Sequence, residues 1–186
     1  MRGVRLVFAA ILMLCGCRQG AKTPDEGFQR LEKAVAAGDA GELWECLTQK
    51  TRWDVEQAYK EERLQRTIIQ AKYPESEQAQ ALARLEAAAA GDAKSYFARV
   101  AKERKLVEGF RKRLGSVSGP IAKKPDGDKA MWLARQDGMP FHFAQNRDGS
   151  WGFAELETEW ALERDRASHA VKTIRDNAAT YEKAGN

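Results

Sequence analysis

Residues 139–156, MPFHFAQNRDGSWGFAEL, decide the fold class of this chain. Aromatic pairs repeat with a period of two on either side of an Asn-Arg-Asp-Gly sequence: Phe141 and Phe143 before it, then Trp151 and Phe153 after it. A period of two is typical of half-buried strands, and Asp-Gly between two such runs is typical of a tight turn. The segment therefore predicts an antiparallel hairpin with one aromatic face.

Upstream of the hairpin, Pro and Gly stay frequent and the short period continues. We predict a turn at 125–128 and four strands, over 117–122, 129–135, 139–145 and 150–156. Short loops between successive strands predict an antiparallel β-meander, here spanning 116–156.

Helical signals fill the rest of the chain. Thr23 and Glu26 form a capping box around Pro24, and Gly38 followed by Asp39 stops one helix and starts the next. Further helices are predicted over 53–73, over 75–90, from Asp92 to 114, and over 158–183. Helices over 24–114, a meander and a long C-terminal helix together predict an α+β fold.

The N-terminus has the pattern of an export signal. Arg2 and Arg5 precede ten apolar residues, 6–15, a run too short for a transmembrane helix. Leu14-Cys15-Gly16-Cys17 resembles the lipobox of bacterial lipoproteins, although an ordinary secretory signal with an incidental cysteine is the alternative. The resemblance implies cleavage before Cys17, lipidation of that cysteine and a membrane-anchored protein of the bacterial cell envelope.

Four segments follow from these signals: a signal peptide over 1–16, a lipidated tether over 17–23, an α+β domain over 24–157 and a C-terminal helix over 158–186. Arg18, rather than Asp, follows the lipidated position. By the sorting rule of enterobacterial lipoproteins, this residue favours the outer membrane, with the domain facing the periplasm.

The composition limits the kinds of partner that the chain is expected to bind. The 186-residue chain has 31 Lys and Arg against 27 Asp and Glu, and the signal peptide removes two arginines, which leaves a net charge of +2. So small a charge, on an exported chain, argues against nucleic-acid binding. Cys46 is the only cysteine left beside Cys17, and we expect a small buried hydrophobe rather than a nucleophile there.

Two motifs carry a second resemblance. Val35-Ala-Ala-Gly-Asp39 with Leu43, and the Asp-Gly-Ser-Trp-Gly-Phe run over 148–153, are similar to those of NTF2-like (cone-shaped α+β) lipoproteins. That fold implies a curved sheet and helices around a cone, which is either a filled core or a cavity for a small apolar ligand. The candidate lining residues are Trp132, Phe141, Phe143, Trp151 and Phe153.

Catalytic chemistry has little support. The chain has two histidines, which excludes a metal site with several imidazoles, and neither lies in a metal-binding motif, so we expect no metal and no cofactor. The weak candidates for acid–base work are His142 and Glu155, provided that the last strand continues to Glu155. The alternatives are a surface histidine and glutamates that start the last helix, where the macrodipole favours acids.

A basic stretch over 94–129 holds eleven basic and four acidic residues. It could attract anionic headgroups or an acidic envelope partner, or it could be a solvated helix face that pairs with the acidic stretches 54–62 and 155–165. Its central residues are Lys102, Arg104, Lys105, Arg111, Lys112 and Arg113. The sequence therefore predicts a lipid-anchored binding or accessory module rather than an enzyme, with a small-ligand cavity or an acid–base site as alternatives.

Overall fold

The computed structural model describes residues 20–115, 122–125, 127, 130–134 and 140–184. Seven helices and four strands lie in these ranges. The helices are α1 (Pro24–Ala37), α2 (Ala40–Cys46), α3 (Gln49–Lys72), α4 (Glu75–Ala83), α5 (Ala93–Glu103), α6 (Leu106–Leu114) and α7 (Glu157–Ala184). The strands are β1 (Ala122–Pro125), β2 (Ala130–Ala134), β3 (Pro140–Gln145) and β4 (Trp151–Phe153), and a 3-10 turn covers Ala87–Ala89.

The first helices begin and end where their local signals predict. The Thr23 side chain accepts a hydrogen bond from the Glu26 N–H at 3.2 Å, with Pro24 in the first turn. Gly38 ends α1 in the left-handed region at φ +73°, a conformation that costs glycine little. Asp39 then accepts from two backbone N–H groups at the start of α2.

The strands form one antiparallel sheet in the order β1-β2-β3-β4, which confirms the meander. The hairpin between β3 and β4 closes through Asn146 N–H to Ser150 O at 2.7 Å, with Gly149 at φ +83°. One predicted boundary is wrong: Pro125 pairs with Met131 inside β1 rather than opening the turn. An edge strand tolerates proline, because its N–H need not bond.

Two backbone segments cover the outer edge of β4. The Trp151 N–H donates to Ala21 O at 2.7 Å, and the Thr48 N–H donates to Phe153 O at 3.2 Å. Ala21 is buried, so folded structure begins before the predicted domain boundary at residue 24. The Thr48 bond also fixes the junction between α2 and α3 against the sheet.

One hydrophobic core joins the sheet to the helices. Phe28 of α1 packs edge-on against Phe141 and Phe143 of β3, with ring centroids 5.6 and 6.3 Å apart. On the other side of the core, Trp160 of α7 contacts Tyr96 and Phe97 of α5. All of these side chains are fully buried or nearly so.

The C-terminal helix docks on its own domain. Gln65 of α3 donates to the carbonyl of Ala167 at 2.8 Å, and Tyr73 packs against Tyr181 with ring centroids 4.9 Å apart. The pairing therefore runs along most of both helices.

Two continuous helices predicted from the sequence are interrupted. The stretch 75–90 is helical only to Ala83, and the stretch ending at 114 breaks between α5 and α6, where Lys105 adopts φ +53°. The break at Lys105 follows Arg104, whose guanidinium is held by two carboxylates of α7. It lets α5 and α6 bury separate apolar stripes.

The α+β prediction is thus confirmed in a mostly helical form, while the NTF2-like cone stays a prediction. Residues 1–19, with the lipobox and Cys17, and the predicted strand residues 117–121 lie outside the described residues. Among the helices that are described, none is both long and apolar enough to cross a membrane.

Candidate functional site

Three of the five predicted ligand-binding aromatics lie in the packed core. Phe141, Phe143 and Phe153 have no surface accessible to water, and the ring centroid of Phe153 lies 6.2 Å from that of Phe141 and 5.7 Å from that of Phe143. Trp151 is half-buried at the edge of the sheet. Trp132 lies on β2, and its side chain is outside what the structure describes. The three phenylalanines therefore pack against one another at the position where the cavity hypothesis requires space for a ligand.

The two acid–base candidates have different surroundings. His142 alternates with the two buried phenylalanines of β3, so it points to the opposite face of the sheet. β4 ends at Phe153, before Glu155, and both oxygens of Glu155 accept hydrogen bonds from Arg113. Glu157 and Glu159 form the acidic first turn of α7, as the alternative interpretation predicts.

The basic stretch divides into two halves. Arg104 binds Glu159 and Glu163 at 2.8 and 2.7 Å, and Arg113 binds Glu155, so the acidic stretch 155–165 pairs with it as one alternative predicts. Arg111 donates to the carbonyl of Val35 at 3.0 Å. The exposed cations that remain within the described part of this stretch include Lys102, Lys105 and Lys112. Arg104, Arg111 and Arg113 thus bind other parts of the fold, whereas Lys102, Lys105 and Lys112 face solvent.

An open cleft of about 790 Å³ lies between α1, α2 and the β3–β4 hairpin. Arg30 and Lys33 line it from α1, and Asp148 and Trp151 line it from the hairpin. Cys46 lies at its base, buried as predicted, with its thiol donating to the carbonyl of Glu42 at 3.3 Å. We call this the hairpin cleft.

Two further clefts meet at Trp53, on the first turns of α3. The indole is 50% exposed and separates a cleft of about 630 Å³ from one of about 380 Å³. We call these two clefts and the indole the Trp53 site. Its polar lining residues are Thr48, Gln49, Lys50, Arg52, Glu56, Gln145, Asn146, Arg147 and Glu157.

A buried polar network supports the Trp53 site from below. Asp54 is fully buried, and its two oxygens bind Arg164 at 2.6 Å and Lys50 at 3.2 Å. The Arg164 guanidinium lies 5.3 Å from the centre of the Trp53 ring, a cation–π distance. The network therefore connects α3 to α7 and holds the Arg164 guanidinium against one face of the indole.

Two threonines extend this network to the start of α7. The hydroxyls of Thr48 and Thr51 lie 2.9 Å apart, and Thr48 donates to Glu157 at 2.7 Å. These hydrogen bonds connect the start of α3 to the start of α7 beside the Trp53 site. Among the described residues, no cluster of three or more His, Cys, Asp or Glu could hold a metal ion.

The sequence pattern does not reveal the Trp53 site, because the outward position of Trp53 depends on the rotation of α3. The buried positions of this helix include Thr51, Asp54 and Val55, so Trp53 falls on the opposite side. One sequence feature could have indicated the site: the polar residues Thr51 and Asp54 lie at the same helical spacing as the buried apolar residues of α3. No protein-family model, curated protein or solved structure matches this chain.

Proposed function

We propose that this chain is a lipid-anchored lipoprotein of the bacterial cell envelope, whose folded domain is a non-catalytic binding or accessory module. The observation that carries the proposal is the spacing between the lipobox and the fold. Cys17 lies four residues before Ala21, which bonds to β4. An extended chain covers about 3.5 Å per residue, so the lipid would lie within roughly 14 Å of the sheet.

So short a tether favours a partner at or near the membrane. The exposed lysines Lys102, Lys105 and Lys112 add about 1 kcal/mol each of attraction if they come close to anionic headgroups. An envelope protein with an acidic surface could use the same cations. The outer membrane is the proposed destination, because Arg18 follows the lipidated cysteine.

The packed interior and the open surface clefts of the domain support the binding role. Its aromatic interior is packed, and its clefts are open, lie on the outside and carry both polar and apolar groups. A small apolar ligand inside an NTF2-like cone is the second function that the sequence suggests. Since water reaches none of the three core phenylalanines, we place binding on the outer surface instead.

Metabolic labelling tests the anchor. The full-length chain is expressed in a bacterial host supplied with radiolabelled palmitate, beside Cys17→Ser and Cys46→Ser variants. We expect label on the wild type and on Cys46→Ser, and none on Cys17→Ser, because Cys46 is buried inside the fold. Label that persists on Cys17→Ser, or a wild-type protein released without label, would contradict the proposal.

A further inference from the structure

We propose that the Trp53 site binds a neutral oligosaccharide, stacked on the indole and held by the polar side chains of the two adjoining clefts. The proposal names a ligand class for the binding module proposed above. It does not depend on the lipid anchor.

The indole has the geometry of a stacking platform. Half of Trp53 is exposed, Arg164 lies against its ring, and the indole lines both adjoining clefts. A pyranose presents a flat face of C–H groups and a rim of hydroxyls. Such a face buries apolar area on an aromatic ring while the hydroxyls stay hydrogen-bonded, which suits an indole surrounded by polar groups.

The surrounding amides match hydroxyl groups. A carboxamide both donates and accepts, as a sugar hydroxyl does, and Gln49, Gln145 and Asn146 each supply one. All three are held in place: Asn146 accepts from the Gln49 N–H at 2.7 Å, the Gln49 amide donates to Asp148 at 2.8 Å, and the Gln145 amide donates to the Gly149 carbonyl at 3.0 Å. Groups already held in place lose little entropy when a ligand binds.

The charges of the site balance, which favours a neutral ligand. Lys50 is paired with Asp54 and Glu157, and Arg52 with Glu45. Arg164, which lies against the indole, is bound by Asp54 and Asp165. The remaining charged linings of the described clefts, Arg147 and Glu56, are one of each sign.

The buried Asp54 has a role in this arrangement. A fully buried carboxylate carries a desolvation cost that its two ion pairs must offset. In return it holds the guanidinium of Arg164 at the face of Trp53. A rigid ring binds a flat ligand better than a mobile one, because less side-chain freedom is lost on binding.

Titration of the full-length protein in detergent provides the test. The probes are chitotetraose and cellotetraose, two neutral β-linked tetrasaccharides that differ in their acetamido groups, followed by isothermal calorimetry. We expect saturable binding of at least one of them. Trp53→Ala should raise Kd by roughly tenfold or more, as for a buried aromatic anchor, and Trp53→Phe by only a few-fold.

Leu162→Ala is the matched control, because Leu162 is 53% exposed and lines neither cleft. It should leave Kd unchanged. The proposal is overturned if neither sugar binds up to ~10 mM, a very weak affinity, or if Trp53→Ala binds as well as the wild type.

A protein partner would use an exposed tryptophan in a similar way. A photo-crosslinking amino acid at position 53, introduced in cells, separates the two cases: a discrete protein adduct overturns the sugar proposal. The Cys17→Ser chain is titrated in parallel. It should bind the sugar as the wild type does. In the wild type, sugar binding without palmitate label would overturn the anchor alone, and label without sugar binding would overturn the site alone.

Discussion

Gly152→Ala is the substitution for which the structure makes the sharpest prediction. Gly152 lies in β4, and a Cβ atom there would be 2.7 Å from Thr48 Cα, 2.8 Å from Thr48 N and 2.9 Å from the carbonyl carbon of Leu47. All three atoms are backbone, so no side chain can rotate away. The Thr48 N–H also donates to Phe153 O, which holds the two segments together.

The cost follows from the size of the overlap. Ordinary contact begins near 3.4 Å, so the strand and the α2–α3 junction must separate by about 0.7 Å. That movement would stretch the hydrogen bond from Thr48 to Phe153 and loosen the packing of the Phe153 side chain, which has no exposed surface. We expect a loss of about 3 kcal/mol in the free energy of unfolding, at the upper end for overpacking. The melting temperature should fall by roughly 6–12 °C.

Urea unfolding followed by far-ultraviolet circular dichroism measures this loss. Gly109→Ala is the matched control, since Gly109 lies inside α6 and has no other atom within 4 Å of the added carbon. It should stabilise the protein by about 1 kcal/mol through helix propensity. A Gly152→Ala protein within ~0.5 kcal/mol of the wild type, the range of neutral surface changes, would refute the close-approach argument.

Two further substitutions test partly buried ionisable groups. Burial raises the pKa of Glu62 above its usual 4.5, so the folded chain binds the proton of this carboxyl more tightly than the unfolded chain does. The stability that results is fully present below pH 4.5 and is lost as the pH rises through the raised pKa. Glu62→Gln, which keeps an acceptor for the Tyr96 hydroxyl, should therefore match the wild type below pH 4.5 and exceed its stability at neutral pH in thermal melts; an equal gain at both pH values would contradict this assignment. Arg113→Gln should cost about 2 kcal/mol in urea unfolding, because it leaves the partly buried Glu155 without its charged partner, whereas exposed Lys112→Gln should cost less than ~0.5 kcal/mol; equal losses would mean that the ion pair contributes nothing.

Local signals in the sequence predict local structure well here. The capping residues Thr23 and Asp39 and the terminating Gly38 act on backbone groups within a few residues, and each lies where the sequence predicts. The Asp-Gly turn of the β3–β4 hairpin is another such case. Each of these bonds forms without help from a distant part of the chain, which is why spacing alone identifies it.

Features that depend on distant residues could not be predicted. The positive φ of Lys105 has no local cause such as glycine, and it follows a guanidinium held by α7, more than fifty residues later. The close approach at Gly152 involves a backbone segment over a hundred residues earlier. A single glycine in a strand signals such an approach without identifying the partner.

The candidate site was missed for the same reason. Asp54 and Thr51 are polar, and sequence patterns place polar residues outside. They are buried because α7 brings Arg164 and Glu157 to the start of α3. That arrangement rotates α3 so that Trp53 faces outward, and only the folded chain shows it.

The covering of β4 by Ala21 and Thr48 also affects self-association. A strand with unpaired N–H and C=O groups at the rim of a sheet is a template for another copy of the chain, and proteins commonly block such rims. Here two short segments take one backbone group each from Trp151 and Phe153, so a second chain cannot add in register along β4. A shortened protein that starts at Thr23 would lose half of this block. Aggregation of such a fragment would then reflect an uncovered rim rather than a damaged core.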